Sequence, residues 1–419
     1  MIFSSLQPLA RRVPILVFSL AVIACAMPGC APNSSDDAWD PVDIGSWQKS
    51  DAIQPETDVQ SGEDVPPETF ETWVKPSEIP PCVQAVGDSA VGTFFTKGCT
   101  PSEACACANV DGGELISQLL GKAQNRVDVC VMELQDFSVS DALVSCKNRQ
   151  VSSRVVVDDS YADPNEEPAM KVISQAGIPV VHDDDDDALM HSKFIIVDER
   201  WVLVSSANFS TYDAQSNANN TLVFDSPELA DLFQRRFDTF FQNHQFHDTA
   251  QVNDGVVQVN GHDVEVYFGP YDDNEASWKS IQRLEQAIYE AQDAVHFSIF
   301  AFTLEEIKDA LQERCGEIEL VGLYDAEQAD DWNSVKFHNW CPQATLLPAN
   351  VQGDWGFKKL HHKVLIADPG TQHGLVVTGS TNWSYSAAAK NDEVMVVVHD
   401  PDVVEQFEAE FQSRLQEAK

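Results

Sequence analysis

The spacing of hydrophobic residues along the chain alternates between two patterns. Short runs rich in β-branched and aromatic residues predict strands, and segments with apolar residues three and four positions apart predict amphipathic helices. The clearest helix begins with Asp225-Ser226-Pro227 and places Leu229, Phe233, Phe237 and Phe240 on one face. A capping residue followed by proline at the first helical position defines where this helix begins.

The order of these elements occurs twice, in residues 86–248 and again in residues 249–419, with an offset of about 170 residues. The second copy also closes with a helix, which begins with Asp400-Pro401. Its apolar face is formed by Val404, Phe407, Phe411 and Leu415. Strands alternating with helices in both copies predict an α/β fold of two tandem repeats, each a mixed β-sheet flanked by helices. We expect them to pack as a single pseudo-twofold body with the active site between them.

The first 85 residues have a different composition. Residues 1–25 carry two arginines and then an apolar run shorter than the roughly 20 residues that span a bilayer, which predicts an export signal. The end of this run resembles a bacterial lipobox, so we expect lipidation at Cys25, with Cys30 and an ordinary cleaved signal as alternatives. Residues 26–85 are acidic and rich in proline, which predicts a disordered tether. We therefore expect an exported lipoprotein that faces the periplasm or the cell exterior.

Charge and cysteine content narrow the expectations further. The formal net charge of -41 disfavours passive binding to nucleic acid or anionic lipid, so any phosphate site must be local. Eight cysteines lie beyond the signal and the two lipidation candidates, and an even number in an exported chain favours disulfides. Cys315 and Cys341 stand alone in the second half and are predicted to pair, while the other pairings stay open. Cys105 and Cys107 lack a nearby His or Cys cluster, which disfavours a zinc site.

Two short motifs repeat with the elements. HSKFIIVD at residues 191–198 returns as HHKVLIAD at residues 361–368. On a strand, residues two apart share a face, so each histidine and lysine project together while the apolar residues that follow pack into the core. Each motif is followed by a Ser/Asn phrase, SSANFS around Asn208 and GSTNWS around Asn382. Eleven residues after each asparagine comes a further matched position, Asn219 in one copy and Glu393 in the other.

With two His-x-Lys-x4-Asp motifs and their Ser/Asn phrases, the chain from about residue 88 onward resembles the phospholipase D superfamily. The resemblance implies that both motifs meet at one site and cleave phosphodiesters through a phosphohistidine, with no metal or other cofactor. By the usual order in two-motif relatives, His191 is the nucleophile and His361 the general acid. The candidate catalytic residues are His191, Lys193, Asp198, Asn208, Asn219, His361, Lys363, Asp368, Asn382 and Glu393.

The residue types suit this chemistry. Lysines and asparagines can hold the oxygens of a phosphodiester as its charge redistributes in the transition state. Asp198 and Asp368 end the motif strands, and we expect them to orient structure rather than to contact phosphate. Glu393 can stabilise a cationic imidazole, whereas Asn219 adds no charge. If each pairs within its own repeat, Glu393 supports His361 as the cationic acid.

A glycerophospholipid is the leading substrate hypothesis, with transfer of the phosphatidyl group to alcohols as an extension. An exported endonuclease of the same superfamily is the alternative, against which the acidic chain counts. A cardiolipin synthase-like phosphatidyltransferase and a non-catalytic phosphate-binding surface protein are further alternatives. Trp355 and Phe357, just before the second motif, are equally consistent with lipid contact and with packing. We expect a monomer, held at a membrane by its lipid anchor.

Five consecutive aspartates, residues 183–187, precede the first motif. The second repeat has one aspartate and two lysines in the equivalent segment, so the acidic run is not part of the shared chemistry. We expect it to form a solvated loop at the rim of the site, with a surface site for a divalent cation as the alternative.

Overall fold

The fold is taken from a computed structural model, which describes residues 90–96, 110–185, 187–247, 253–271, 278–337, 340–349 and 359–419. The predicted signal, both lipidation candidates and the tether lie outside the described residues, as do Trp355 and Phe357. All described residues belong to one compact unit that extends to Lys419.

The first repeat forms a seven-stranded mixed sheet. Its elements are β1 (Val91–Phe95), α1 (Gly112–Gly121), β2 (Arg126–Val131), α2 (Phe137–Asn148), β3 (Ser152–Val157), a 3-10 turn (Asp159–Tyr161), α3 (Pro168–Gln175), β4 (Val180–His182), β5 (Lys193–Val197), β6 (Trp201–Ser205), α4 (Thr211–Gln215), β7 (Asn220–Asp225) and α5 (Pro227–Phe241). The strand order is β1-β7-β6-β5-β2-β3-β4. The three strands β2, β3 and β4 are parallel, and the other neighbours are antiparallel.

The second repeat forms an eight-stranded sheet of the same order. Its elements are β8 (Gly255–Val259), β9 (His262–Phe268), α6 (Lys279–Glu290), β10 (Ala294–Ile299), α7 (Glu305–Glu313), β11 (Glu319–Asp325), α8 (Ala326–Ala329), β12 (Thr345–Ala349), β13 (Lys363–Ala367), β14 (Leu375–Gly379), α9 (Tyr385–Ala389), β15 (Val394–Val398) and α10 (Pro401–Ala418). The strand order is β12-β11-β10-β13-β14-β15-β9-β8. Apart from β8, each strand has a counterpart in the first sheet, which confirms the predicted fold class.

The closing helices α5 and α10 join the repeats. Ser226 accepts the backbone N–H of Leu229 at the start of α5, and Asp400 accepts that of Asp402 at the start of α10. The apolar faces predicted for both helices are buried in one shared core cluster that contains residues of both sheets. Burial of a phenylalanine side chain contributes about 2–3 kcal/mol relative to exposure, so these faces hold the repeats together.

Aromatic contacts across the repeats follow the pseudo-twofold arrangement. Phe233 of α5 packs edge-on against Phe268 of β9, with ring centroids 5.3 Å apart. Phe407 of α10 packs in the same way against Phe95 of β1, at 5.2 Å. Each closing helix therefore contacts the first aromatic strand of the other repeat, and the two sheets are held in a fixed relation.

The predicted disulfide between Cys315 and Cys341 is present and joins the end of α7 to the segment before β12. Cys130 and Cys146 are buried free thiols, so the even cysteine count overstated the number of disulfides. The other four of these eight cysteines lie outside the described residues. Among the helices that the structure describes, none has the length and apolarity needed to cross a bilayer.

Candidate active site

The two motifs occupy matching places in the two sheets. Lys193 begins β5 and Lys363 begins β13, each strand lying in the interior of its sheet. The Lys193 ammonium donates to the carbonyl oxygen of His191 at 2.6 Å, and that of Lys363 donates to the carbonyl oxygen of His361 at 2.8 Å. All four side chains are buried. The repeated sequence thus produces two equivalent histidine-lysine pairs.

The partners of the histidines come from the opposite repeat. His191 donates through Nδ1 to Glu393, whose Oε1 lies at 2.8 Å and Oε2 at 2.9 Å. His361 donates through Nδ1 to Oδ1 of Asn219 at 2.9 Å. The expected pairing within each repeat is therefore wrong, and with it the support that Glu393 was expected to give His361. Nδ1 donates in both rings, so each neutral imidazole keeps its Nε2 lone pair for chemistry.

Backbone contacts explain why the pairing crosses. The segment before β7 lies against the second motif, where the His361 N–H donates to the Ala218 carbonyl at 2.9 Å. The segment before β15 lies against the first motif in the same way, where the Asp392 N–H donates to the Leu189 carbonyl at 2.9 Å. Asn219 and Glu393 therefore each contact the histidine of the other repeat, and this brings the two motifs into one site.

Two serines hold the partners in place. The Ser206 hydroxyl donates to Oδ1 of Asn219 at 2.8 Å, and the Ser380 hydroxyl donates to Oε2 of Glu393. Both serines are the second residue of their Ser/Asn phrase. Sequence reasoning did not assign them a role, although their repetition in both phrases was a signal that could have found them.

Burial and charge set the protonation of the two histidines. Burial lowers the pKa of His191, and Glu393 opposes this effect. Burial lowers the pKa of His361 well below its usual range, and the charges of Lys363, Lys193 and His191 lower it further. Because the charges of His191 and Lys193 affect the pKa of His361, both motifs lie in one electrostatic environment. The two imidazoles are therefore unequal, because His191 is hydrogen-bonded to a carboxylate, whereas His361 is hydrogen-bonded to a neutral amide and lies 3.5 Å from the carboxylate of Asp213.

Both motif lysines also have unusually low pKa values. Burial lowers the pKa of Lys193 to about 8, with Glu393 opposing the shift. Burial and the charge of Lys193 together lower the pKa of Lys363 to about 7. A bound anion favours the charged form of each lysine, so anion binding at this site is coupled to proton uptake.

The motif asparagines keep unused hydrogen-bonding capacity. The Asn208 amide donates to Oε2 of Glu133 at 3.3 Å, and its backbone N–H donates to Asp213 at 2.9 Å. Oδ1 of Asn208 and Oδ1 of Asn382 are buried, and neither accepts a hydrogen bond from the part of the chain that the structure describes. A polar atom buried without a partner is costly, which fits side chains arranged for a ligand. Glu133 was missed by sequence reasoning, because it belongs to no repeated motif.

The two motif aspartates lie at the opposite end of their strands from the lysines. Asp198 has a φ of 54° and accepts the backbone N–H groups of Gln124, Asn125 and Arg126 at 2.7–2.9 Å. Asp368 has a φ of 48° and accepts those of residues 292–294 at 2.7–3.0 Å. Aspartate tolerates this left-handed conformation, and each carboxylate fixes the start of a neighbouring strand. Both carboxylates therefore hold the backbone in place, and the expectation that neither contacts phosphate stays a prediction.

The acidic run is only partly a solvated rim. Asp184, Asp185 and Asp187 are exposed, whereas residue 186 lies outside the described residues. The expectation is wrong for Asp183, which is 2% exposed and accepts the backbone N–H of Asp159 at 2.8 Å. Its other oxygen contacts Nε2 of His247 at 2.9 Å. Sequence distance hid this contact, because His247 follows 64 positions later.

His247 links this run to the segment that carries Glu393. Its Nδ1 lies 3.1 Å from Asp392, which also pairs with the buried Arg236 at 2.8 Å. Burial opposes a charge on His247, but hydrogen bonds to Asp183 and Asp392 outweigh it and raise the pKa of His247 to about 10. Asp183 also lies near Asp158 and Asp159, with oxygens within 4.8 Å of one another. Asp158 accepts two backbone N–H groups, and Asp183 accepts one and contacts His247, so we assign Asp183 to this network.

Comparisons with known proteins agree with this architecture. The sequence profile described as "Cardiolipin synthase, PLD-like domain" matches residues 116–241 and 284–415. A mitochondrial cardiolipin hydrolase of Xenopus laevis is 31% identical over 150 residues, which are 35% of this chain and 70% of that protein. A phospholipase D of Rickettsia conorii is 25% identical over 153 residues, which are 36% of this chain and 69% of that protein.

A solved structure shows the same fold over a longer range. Phosphatidylserine synthase of Haemophilus influenzae has a TM-score of 0.57 at 12% identity, covering 78% of this chain and 86% of that one. The chain spans about half to two thirds of the length of several other curated relatives. For human mitochondrial cardiolipin hydrolase the matched part is 58% of that protein. From the profile matches in both repeats and the duplicated fold, the chain belongs to the phospholipase D superfamily of phosphodiesterases.

Proposed function

We propose that the protein is a phospholipase D that hydrolyses glycerophospholipids through a phosphohistidine intermediate, without a metal. The observation that carries the proposal is the unequal pair of buried imidazoles, His191 on a carboxylate and His361 on a neutral amide. Two-step phosphoryl transfer needs one imidazole that becomes cationic while bonded to phosphorus, and one that moves a proton. The carboxylate on His191 and the neutral amide on His361 support this division of roles.

In the first step, Nε2 of His191 attacks phosphorus, and the bond from phosphorus to the headgroup oxygen breaks. His361, protonated when the anion binds, donates its Nε2 proton to the leaving alkoxide. Glu393 accepts the Nδ1 proton of His191 in a hydrogen bond and stabilises the charge that the ring gains. Lys193, Lys363 and the motif asparagines hold the non-bridging oxygens.

In the second step, the now neutral His361 takes a proton from water or an alcohol. The resulting oxygen nucleophile attacks phosphorus, the P–N bond breaks, and His191 leaves as the neutral imidazole. Water gives phosphatidic acid, and an alcohol gives the exchanged phosphatidyl ester. His361 ends the cycle protonated, so protons and charge balance.

A lipid substrate is favoured over a polyanion by two considerations. The relatives reported above are named a cardiolipin hydrolase, a phospholipase D and a phosphatidylserine synthase. The net charge of -41 opposes the approach of a long nucleic acid outside the local site. An export signal with lipidation at Cys25 would also hold the site close to phospholipid, and membrane fractionation of Cys25→Ser and Cys30→Ser variants tests this anchor.

Parallel assays on lipid and DNA test the proposal. The purified protein in detergent micelles is incubated with phosphatidylcholine, with and without ethanol, and separately with single- and double-stranded DNA. We expect choline release and phosphatidylethanol formation, both lost in His191→Ala and both retained in a chelator. Degradation of DNA without turnover of any lipid would contradict the lipid assignment, and loss of activity in the chelator would contradict the metal-free chemistry.

A further inference from the structure

Glu133 is an acidic side chain at the active site that the chemistry above does not use. It follows β2, and its carbonyl oxygen accepts the backbone N–H of Phe209 at 3.0 Å. Its Oε2 accepts the side-chain amide of the motif residue Asn208 at 3.3 Å. The backbone and the carboxylate of Glu133 are thus both held against the Ser/Asn phrase of the first repeat.

The second repeat has no carboxylate at the equivalent place. An isolated bridge pairs Leu134 with Phe209, and the matching bridge pairs Phe302 with Trp383. Glu133 precedes Leu134 and Ala301 precedes Phe302, so Ala301 is the counterpart of Glu133 in the second repeat. The shared chemistry therefore does not need a carboxylate here, and the two sides of the site differ at this position.

Contacts of Asp213 and Asn208 link Glu133 to the general acid His361. Asp213 accepts the backbone N–H of Asn208 at 2.9 Å, and its other oxygen lies 3.5 Å from Nδ1 of His361. Asn208, which binds Glu133, and His361 therefore share one carboxylate neighbour. In the mechanism proposed above, this side of the site receives the leaving alcohol and, in the second step, the incoming one.

We propose that Glu133 is a specificity-determining residue that binds the ammonium group of an amine-bearing headgroup on the leaving-alcohol side. Its carboxylate already accepts one hydrogen bond and retains lone pairs for a primary ammonium donor. The inference rests on the proposed phospholipase D function. It adds the class of headgroup, which is a primary amine of the ethanolamine type.

The surroundings of Glu133 make this preference dependent on pH. Burial and the charge of Asp213 together raise the pKa of Glu133 to about 7, against the opposing charge of Lys193. Below pH 7 the carboxyl is mostly neutral, and above pH 7 it is charged and attracts an ammonium. The charged or titratable groups that act on it from the surrounding elements are Asp213, Lys193, Glu167, Lys359 and Tyr161.

The test is a ratio of two kcat/KM values, for phosphatidylethanolamine and for phosphatidylglycerol in the same detergent micelles, measured at pH 6 and pH 8.5. Titration of the motif lysines and histidines affects both substrates and cancels in the ratio. We expect the ratio to rise about 10-fold with pH, the size of one hydrogen bond to a charged group. In Glu133→Gln the ratio should stay constant, and in Glu133→Asp, which keeps the charge with a shorter reach, part of the rise should return.

The outcomes separate this inference from the proposed function. If Glu133→Gln and Glu133→Asp both keep the full pH-dependent ratio of the unaltered protein, the inference is wrong and the lipid function stands. A ratio that does not change with pH in the unaltered protein has the same consequence. If bis(4-nitrophenyl) phosphate is hydrolysed but neither lipid is, the proposed function is wrong and the inference falls with it.

Discussion

Nδ1 of His191 lies 2.8 Å from Oε1 of Glu393, a carboxylate contributed by the other repeat. The pseudo-symmetric contact, from Nδ1 of His361 to Asn219, uses a neutral amide at 2.9 Å. A carboxylate stabilises an imidazolium, and the nucleophile of a phosphohistidine mechanism carries that charge after it attacks. The crossed pairing therefore supports the assignment of His191 as nucleophile. The sequence had suggested the same assignment for another reason, namely that Glu393 would support His361 as the cationic acid.

Replacing the carboxylate of Glu393 with an amide should slow the chemical step. For Glu393→Gln we expect kcat/KM to fall about 10- to 100-fold, the usual effect of removing a hydrogen-bond partner that orients and charges a reacting histidine. Glu410→Gln is the matched control, since Glu410 is also buried and lies 3.4 Å from His362. Equal losses of kcat/KM in both variants would mean that Glu393 acts only through folding.

Anion binding should depend on pH through the two motif lysines. At pH 6 both Lys193 and Lys363 are charged, whereas at pH 9 both are mostly neutral, because their pKa values are about 8 and about 7. Sulfate, which stays a dianion over this range, should therefore raise the melting temperature more at pH 6 than at pH 9. We expect a difference of roughly 2–5 °C by differential scanning fluorimetry.

Lysine variants provide the control for the sulfate measurement. In Lys193→Met the difference between the two pH values should shrink, and in Lys171→Met, which removes an exposed lysine of α3, it should not change. A sulfate effect that is the same at pH 6 and pH 9 in the unaltered protein would contradict the lowered lysine pKa values.

The motif aspartates should matter for stability rather than for chemistry. Asp198→Ala removes the acceptor of three backbone N–H groups, so we expect the free energy of unfolding to fall by about 2–3 kcal/mol. Urea denaturation measures this change, and kcat per folded molecule should stay within about twofold of the unaltered value. A large loss of kcat with unchanged stability would instead place Asp198 in the reaction.

The disulfide should stabilise the second repeat without contributing to catalysis. Cys315 and Cys341 are separated by 26 positions, and closing a loop of this length contributes about 2–4 kcal/mol. The double variant Cys315→Ser/Cys341→Ser is expected to lose that amount in chemical denaturation and to keep its kcat. An unchanged denaturation midpoint would contradict a stabilising role for the bridge.

Sequence patterns predicted the duplicated fold well, because it depends on local periodicity. The apolar faces of the closing helices and the two His-x-Lys motifs lie where their spacing indicated. The crossed pairing was not predictable, because Asn219 and Glu393 stand at the same distance from the asparagine of their own repeat. Only the packing of the segments before β7 and β15 decides which histidine each one contacts. The burial of Asp183 depends in the same way on the distant His247.

The central claim is that His191 bonds to phosphorus, and trapping the intermediate tests it most directly. In His361→Ala the general acid is missing, so the substrate is bis(4-nitrophenyl) phosphate, whose leaving group needs little protonation. We predict a burst of 4-nitrophenol close to one equivalent and, by mass spectrometry of the quenched protein, a phosphoryl adduct on His191. In a His191→Ala/His361→Ala variant both signals should vanish. An adduct on any other residue, or a burst that survives without His191, would contradict the account.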